Sequence, residues 1–278
     1  MSLIKVVECP RDAMQGIKNW IPSKYKISYI QSILSVGFDV VDCGSFVSPR
    51  AVPQMKDTHH VLEGLDLSST KSKLLAIVAN LRGAKDACNY SQISYLGYPF
   101  SISENFQMRN TNKSIEESIS ELSKIIELAN KNKKEVVVYL SMGFGNPYGD
   151  QWNYEIVEKW IDLLYFMNIK TISISDTVGA AKIEDIKTVF SNTVVKYPTI
   201  EFGAHFHTKP NEWHEKIDTA YKAGCKRFDS AIQGYGGCPM AKDELTGNFP
   251  TEKLITYFNS KNVSLNINAL HFESSFNE

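Results

Sequence analysis

Two histidines, His205 and His207, bracket Phe206 at the end of a β-branched run. Side chains alternate along a strand, so this spacing sends both imidazoles to one face and the phenyl ring to the other. Paired imidazoles beside a carboxylate make an N/O site for a first-row divalent metal, whereas without one they read as a hydrogen-bonded histidine pair. Asp12, in the Arg11-Asp12 step after the first apolar run, supplies the carboxylate if the first and last strands lie near each other. Two His, one Asp and an amide oxygen leave positions for water and a chelating substrate. That suits Mg²⁺ or Mn²⁺ better than structural zinc, which takes four protein ligands and favours thiolates. Gly234-Tyr-Gly-Gly-Cys-Pro239 is too glycine-rich for a strand or helix. No Lys-Ser/Thr pair follows it, so a phosphate cradle is disfavoured. The loop is instead read as a lid that carries the Cys238 thiol to the site as a proton donor or acceptor.

A regular alternation must position these groups. Short apolar runs at 4–8, 38–43, 74–78, 92–96, 135–140, 171–175, 200–205 and 227–231 alternate with amphipathic stretches such as 114–130, 154–167, 183–197 and 212–223. Near-continuous apolar runs fit parallel strands covered on both faces. Ser114-Ile-Glu-Glu117 opens one helix with a capping-box pattern. Eight strands with no linker between them predict residues 1–278 as a single (β/α)₈ TIM barrel, its active site at the C-terminal strand ends. A doubly wound sheet would want a Gly-rich turn after the first strand, and Glu8-Cys-Pro-Arg-Asp12 is not one. The polar residues fall where a barrel wants them: Arg11-Asp12, Asp42, Asn80, Asp176, His205, His207 and Asp229 all sit at or just after strand ends.

Composition narrows the function classes. Thirty Lys+Arg against 31 Asp+Glu leave a net charge of −1, so no basic field draws in nucleic acid or an anionic membrane surface. The longest apolar runs are far short of the roughly 20 residues a membrane helix needs. The N-terminus lacks a signal pattern, which predicts a cytoplasmic protein. Five scattered cysteines without a C-x-x-C pair exclude a disulfide framework or zinc knuckle. Four of them, Cys9, Cys43, Cys88 and Cys225, read as small buried hydrophobes.

Arg11-Asp-Ala-Met-Gln15, Ser45-Phe-Val-Ser-Pro-Arg-Ala-Val-Pro-Gln-Met55, Ser175-Asp-Thr-Val-Gly179, His205-Phe-His207 and the Gly234–Pro239 loop with Gly247-Asn248 together resemble the hydroxymethylglutaryl-CoA lyases. The resemblance runs through nearly the whole chain in the same order, and the Ser45–Met55 segment is its most specific part. The wider family shares a metal-binding barrel and includes isopropylmalate and homocitrate synthases. The resemblance implies that Asp12, His205, His207 and Asn248 bind the divalent cation. It places Arg11 beside the acyl carbonyl as the cation facing a developing enolate, and Cys238 as the reactive lid thiol. Asp42 takes the place of a family glutamate that assists catalysis, and Asp176 that of a supporting or proton-relay carboxylate. The implied reaction splits 3-hydroxy-3-methylglutaryl-CoA into acetyl-CoA and acetoacetate, with Cys238 or His205 quenching the enolate. The implied partners are an acyl-CoA and a second copy of the chain, as a homodimer.

Three positions depart from the family pattern. Ala13 replaces a glycine, Asp42 is a methylene, about 1.5 Å, shorter than glutamate, and Thr208 replaces an aspartate after H-x-H. They bear on the acyl substrate more than on the reaction class. The alternatives are a related metal-dependent lyase for another 3-hydroxyacyl-CoA, a Claisen-type synthase, and a non-catalytic acyl-CoA-binding descendant.

Overall fold

All eight predicted strands form and close on themselves in the computed structural model, which describes residues 4–209, 211–237 and 246–278. The strands are β1 (Lys5–Glu8), β2 (Val40–Ser45), β3 (Lys73–Ile77), β4 (Ile93–Ser101), β5 (Glu135–Ser141), β6 (Thr171–Asp176), β7 (Glu201–Thr208) and β8 (Arg227–Ser230). Their order is β6-β5-β4-β3-β2-β1-β8-β7, all parallel, and β6 pairs with β7 to shut the barrel. A short ninth strand, β9 (Gly247–Asn248), lies antiparallel on the end of β7 and sets Asn248 opposite His207.

Helices complete the alternation: α1 (Pro10–Gln15), α2 (Ser23–Val36), α3 (Thr58–Gly64), α4 (Leu81–Cys88), α5 (Glu104–Thr111), α6 (Ile115–Lys131), α7 (Tyr154–Phe166), α8 (Ile183–Lys196), α9 (Trp213–Lys222), α10 (Thr251–Ser260) and α11 (Ala269–Asn277). The predicted box at Ser114 forms in full, with Ser114 accepting from the Glu117 amide and Glu117 accepting from that of Ser114. Asn80 caps α4 through the Gly83 amide, a turn role rather than a site role. Among the described residues no helix is long and apolar enough to cross a membrane.

Two differences from the sequence reading matter for the site. β4 runs on to Ser101, through Pro99, and pairs with β5 to its end. The Gly97 carbonyl faces β3, so by alternation the missing Pro99 N–H faces the same side, where β3 has already stopped at Ile77. Arg11 and Asp12, expected just after the first strand, belong to a short helix that the sequence reading left out. Pro10 opens α1 directly after β1, a first-turn position that its fixed φ favours. The helix seats Ala13 with ordinary helical backbone where the family pattern has glycine.

Most of the core lies between barrel and helices, and a smaller cluster (Val7, Cys9, Val40, Leu75, Ile77, Val137 and Tyr139) packs together apart from it. Alternation sends these side chains inward from β1, β2, β3 and β5. The inward positions of β6, β7 and β8 carry Ser173, His205, Arg227 and Asp229 instead. The lumen is thus apolar toward β1, β3 and β5 and polar toward β6, β7 and β8, with Asp42 as a buried charge on β2.

Glu8 ties β1 to the far end of the chain, accepting from the Ile232 amide at 2.8 Å and the Thr251 hydroxyl at 2.5 Å. Burial pushes its carboxyl from the ordinary 4.5 up to about 8, against the pull of these two hydrogen bonds. The folded chain therefore keeps a proton that the unfolded chain releases. That stabilisation is complete below the unfolded value and is lost as pH rises through about 8. Glu8→Gln is expected to flatten the fall in Tm between about pH 5 and pH 8 and to raise Tm at the upper end by roughly 2–4 °C or more. Parallel Tm-against-pH curves for variant and parent would remove Glu8 as the cause.

Candidate active site

The C-terminal ends of β1, β7 and β9 bring Asp12, His205, His207 and Asn248 together. One ligand atom each from Asp12, His205 and His207 lies within 4.8 Å of the others, all buried. The His207 Nδ1 is 2.9 Å from the Thr177 carbonyl oxygen, which can only accept, so Nδ1 carries the hydrogen and Nε2 the lone pair. That Nε2 is buried and has no hydrogen-bond partner among the described residues. Burial, and then the neighbouring His205, pull His207 down to about 4, so the ring stays neutral. A neutral imidazole with a bare, buried lone pair beside a carboxylate fits a divalent cation.

His205 is turned by Asp229, whose Oδ2 lies 3.1 Å from Nδ1. Burial lowers its basicity, but the Asp229 hydrogen bond and the charges of Asp229 and Asp12 outweigh that and leave it above the ordinary value. Burial likewise pushes Asp12 up, yet Arg11, the two histidines and Asn248 hold its carboxyl below the usual range. Asn248 donates to Asp12 Oδ2 at 2.5 Å and to the Tyr235 carbonyl at 2.8 Å. Both amide hydrogens are used, which turns the amide oxygen into the acceptor that Asn248 could offer a cation.

Arg11 is gripped from two sides. Its Nε and Nη2 donate to Asp42 Oδ2 at 3.0 and 2.5 Å, and Nη1 donates to Asp12 Oδ1 and Gln15 Oε1, each at 2.8 Å. Burial opposes the guanidinium charge, but Asp42 and Asp12 outweigh it and lock the charge in. Arg11 lines the cavity above the barrel and Asp42 does not. Asp42 sits in mid-strand at a break in the β2–β3 register. Burial raises its carboxyl to about 6 against the pull of Arg11. The shorter side chain thus holds Arg11 instead of facing the cavity.

Asp176 is also behind the cavity. Ser175 and Thr177 line it, so the residue between them points away. Asp176 accepts from Lys216 Nζ at 2.7 Å and from the Ala181 amide at 3.1 Å. Lys216 also donates to the Gly179 carbonyl, so the pair fixes the turn whose Thr177 carbonyl orients His207. Cys238 lies outside the described residues. Gly236 has φ +98°, and a Cβ there would come within 2.6 Å of both the Asp12 carbonyl and Asn248 Nδ2, so only glycine fits.

The same cavity is lined by Val47, Val52, Ile77, Pro99 and Phe106, which make an apolar wall, and by Ser141, Ser175 and Thr177. Gln15 and Lys216 were not among the predicted site residues, and Asp229 was placed at a strand end without a role. Asp229 and Gln15 stood inside or beside the motifs, whereas a lysine in an amphipathic helix reads as solvent-facing.

The family model described as HMGL-like matches residues 4–275. The chain is 33% identical over 267 residues to a rat protein named 3-hydroxy-3-methylglutaryl-CoA lyase, cytoplasmic, spanning 95% of this chain and 76% of the rat protein. The solved Bacillus subtilis HMG-CoA lyase superposes with a TM-score of 0.92 at 28% identity, covering 100% of this chain and 92% of that one. An HMG-CoA lyase from Acinetobacter baumannii, solved with coenzyme A and 3-methylmalate, superposes with a TM-score of 0.91 at 26% identity, covering 99% and 89%.

Proposed function

The chain belongs to the HMGL-like family, and we propose that it cleaves 3-hydroxy-3-methylglutaryl-CoA to acetyl-CoA and acetoacetate with Asp12, His205, His207 and Asn248 as the ligands of a divalent cation. It is a carbon–carbon lyase, like the hydroxymethylglutaryl-CoA lyases it matches. The observation that carries the ligand assignment is the buried Nε2 of His207, which has no hydrogen-bond partner among the described residues and stands beside Asp12 and His205.

When bound, Mg²⁺ or Mn²⁺ supplies Lewis acidity that lowers the pKa of the substrate's tertiary hydroxyl. The hydroxyl proton passes to a base, the role open to the Cys238 thiolate on the lid, and the bond between C2 and C3 breaks. Its electron pair passes to the acetyl-CoA fragment as an enolate, and C3 becomes the ketone of acetoacetate. Arg11, fixed by Asp12 and Asp42, faces that charge without having to reorganise. The apolar wall keeps water from the enolate until it is protonated. His205 has no proton to give once Nε2 is a ligand and Nδ1–H is held by Asp229. The donor is then the Cys238 thiol. A homodimer and a cytoplasmic location complete the proposal.

Chelation is the direct test. Turnover of hydroxymethylglutaryl-CoA should vanish in EDTA and return with Mg²⁺ or Mn²⁺, and chelator-resistant turnover would overturn the ligand assignment. A chain that binds Mn²⁺ but leaves this thioester intact would shift the reading to another 3-hydroxyacyl-CoA.

Cysteine labelling tests the lid thiol. Cys9, Cys43 and Cys225 are buried and should alkylate slowly, while Cys88 at the end of α4 is half-buried, against the expectation of full burial, and should react partially. Inactivation should track modification of Cys238 and not of Cys88. Cys238→Ser should keep the fold and lose roughly 10²–10⁴-fold in kcat, the range typical of a general acid. Loss of activity that follows Cys88 labelling, or a fully active Cys238→Ser, would reduce the loop to a structural turn.

A further inference from the structure

Period two on β8 sends Arg227 and Asp229 into the barrel lumen, where they are 1% and 3% exposed. The Nη1 of Arg227 donates to Glu201 Oε1 at 3.1 Å, and its Nε lies 3.9 Å from Asp229 Oδ1. Glu201 in turn meets Lys5 at the partly exposed N-terminal rim. The other Asp229 oxygen, Oδ2, accepts from Ser173 Oγ at 3.0 Å and faces His205 Nδ1 at 3.1 Å. Room for the arginine stem comes from Gly203, where a Cβ would sit 3.0 Å from both Arg227 Cδ and Ser173 Oγ. A buried ion pair costs desolvation and adds little net stability, so apolar residues would fill this space at least as well.

We infer that Asp229 is the positioning residue of His205: by taking its Nδ1–H it fixes the ring tautomer and turns a bare Nε2 toward Asp12 and His207. Arg227, tethered by Glu201, supplies the counter-charge that keeps the carboxylate in register. The inference deepens the metal-site reading and rests on it for the role of Nε2. The two imidazoles are thereby held differently, His207 by a neutral carbonyl and His205 by a carboxylate. A carboxylate behind an imidazole raises its basicity as a ligand.

The test uses Asp229→Ala and the double variant Arg227→Met/Asp229→Leu, which leaves no lone buried charge if the single change fails to fold. Ring-nitrogen NMR of metal-free, histidine-labelled protein reads the tautomer above the imidazolium range. The parent should show His205 protonated on Nδ1 alone, and the variants a mixture of both tautomers. Mn²⁺ affinity by calorimetry should fall roughly 10–100-fold, as for lost outer-shell partners of metal histidines. A merely structural aspartate would lower Tm and leave the tautomer alone. Unchanged tautomer and unchanged Mn²⁺ affinity in a folded variant would overturn the inference. A parent that takes up no Mn²⁺ sinks the metal-site reading instead, while the tautomer still decides what Asp229 does.

Discussion

His207→Ala should lose divalent binding and turnover together. Among the described residues the ring hydrogen-bonds the Thr177 carbonyl, and its other nitrogen is buried with no such partner. Removing it leaves Asp12, His205 and Asn248, too few donors to compete with water for a small dication. Loss of an outer-shell partner alone costs roughly 10–100-fold in metal affinity, so loss of a ligand should exceed about 100-fold. At fixed Mn²⁺ the kcat should fall by at least that factor. His205→Ala and Asp12→Ala should do the same, the latter because no neutral side chain balances the dication. Calorimetric Mn²⁺ titration and steady-state turnover are the measurements, with Tm in EDTA to show that the barrel survives. A variant that keeps parental Mn²⁺ affinity and kcat would return His207 to a hydrogen-bonding role beneath the Thr177 turn.

Arg11→Met should have the second large effect, through two separable readouts. The charge faces an enolate that exists only after the bond breaks, so kcat should drop about 10²–10³-fold, or about 2.7–4 kcal/mol, with KM nearly unmoved. The same change leaves Asp12 and Asp42 buried without their shared cation. Breaking a buried pair from one side typically costs about 3–5 kcal/mol, so stability should fall as well. Arg11→Lys keeps the charge without the fork that reaches both carboxylates, and should recover much of the stability but only part of kcat. A rise in KM at constant kcat would make Arg11 a binding group only.

The sequence was most legible where local pattern and global fold agree. The apolar runs became eight parallel strands, and the Ser114 box formed as written. The H-x-H spacing places both rings on one face beside Asp12. Legibility failed where a residue's job depends on a partner far along the chain. Lys216 pairs with Asp176 across 40 residues, and nothing in α9 marks it as buried. Asp176 was legible in principle: Ser175 and Thr177 face the cavity, so parity alone turns it away. Asp42 could be placed but not aimed, because the register break beside it is a property of the β2–β3 pair. Pro99 masked the length of β4 because its missing donor matters only when a neighbour strand is there to receive it.

The hydrogen bond between Asn248 and Asp12 joins residues 236 positions apart. A ribosome that has delivered Asp12 must add another 236 residues before that contact can form. At about 5–20 residues per second this takes tens of seconds or less, and throughout it the nascent chain holds at most a partial ligand set. On the proposed ligand set, cation capture waits until Asn248 has been made and has met Asp12. Its binding energy would then fall only on chains in which Asp12 and Asn248 have met, so divalent ions should favour the closed barrel over shorter intermediates.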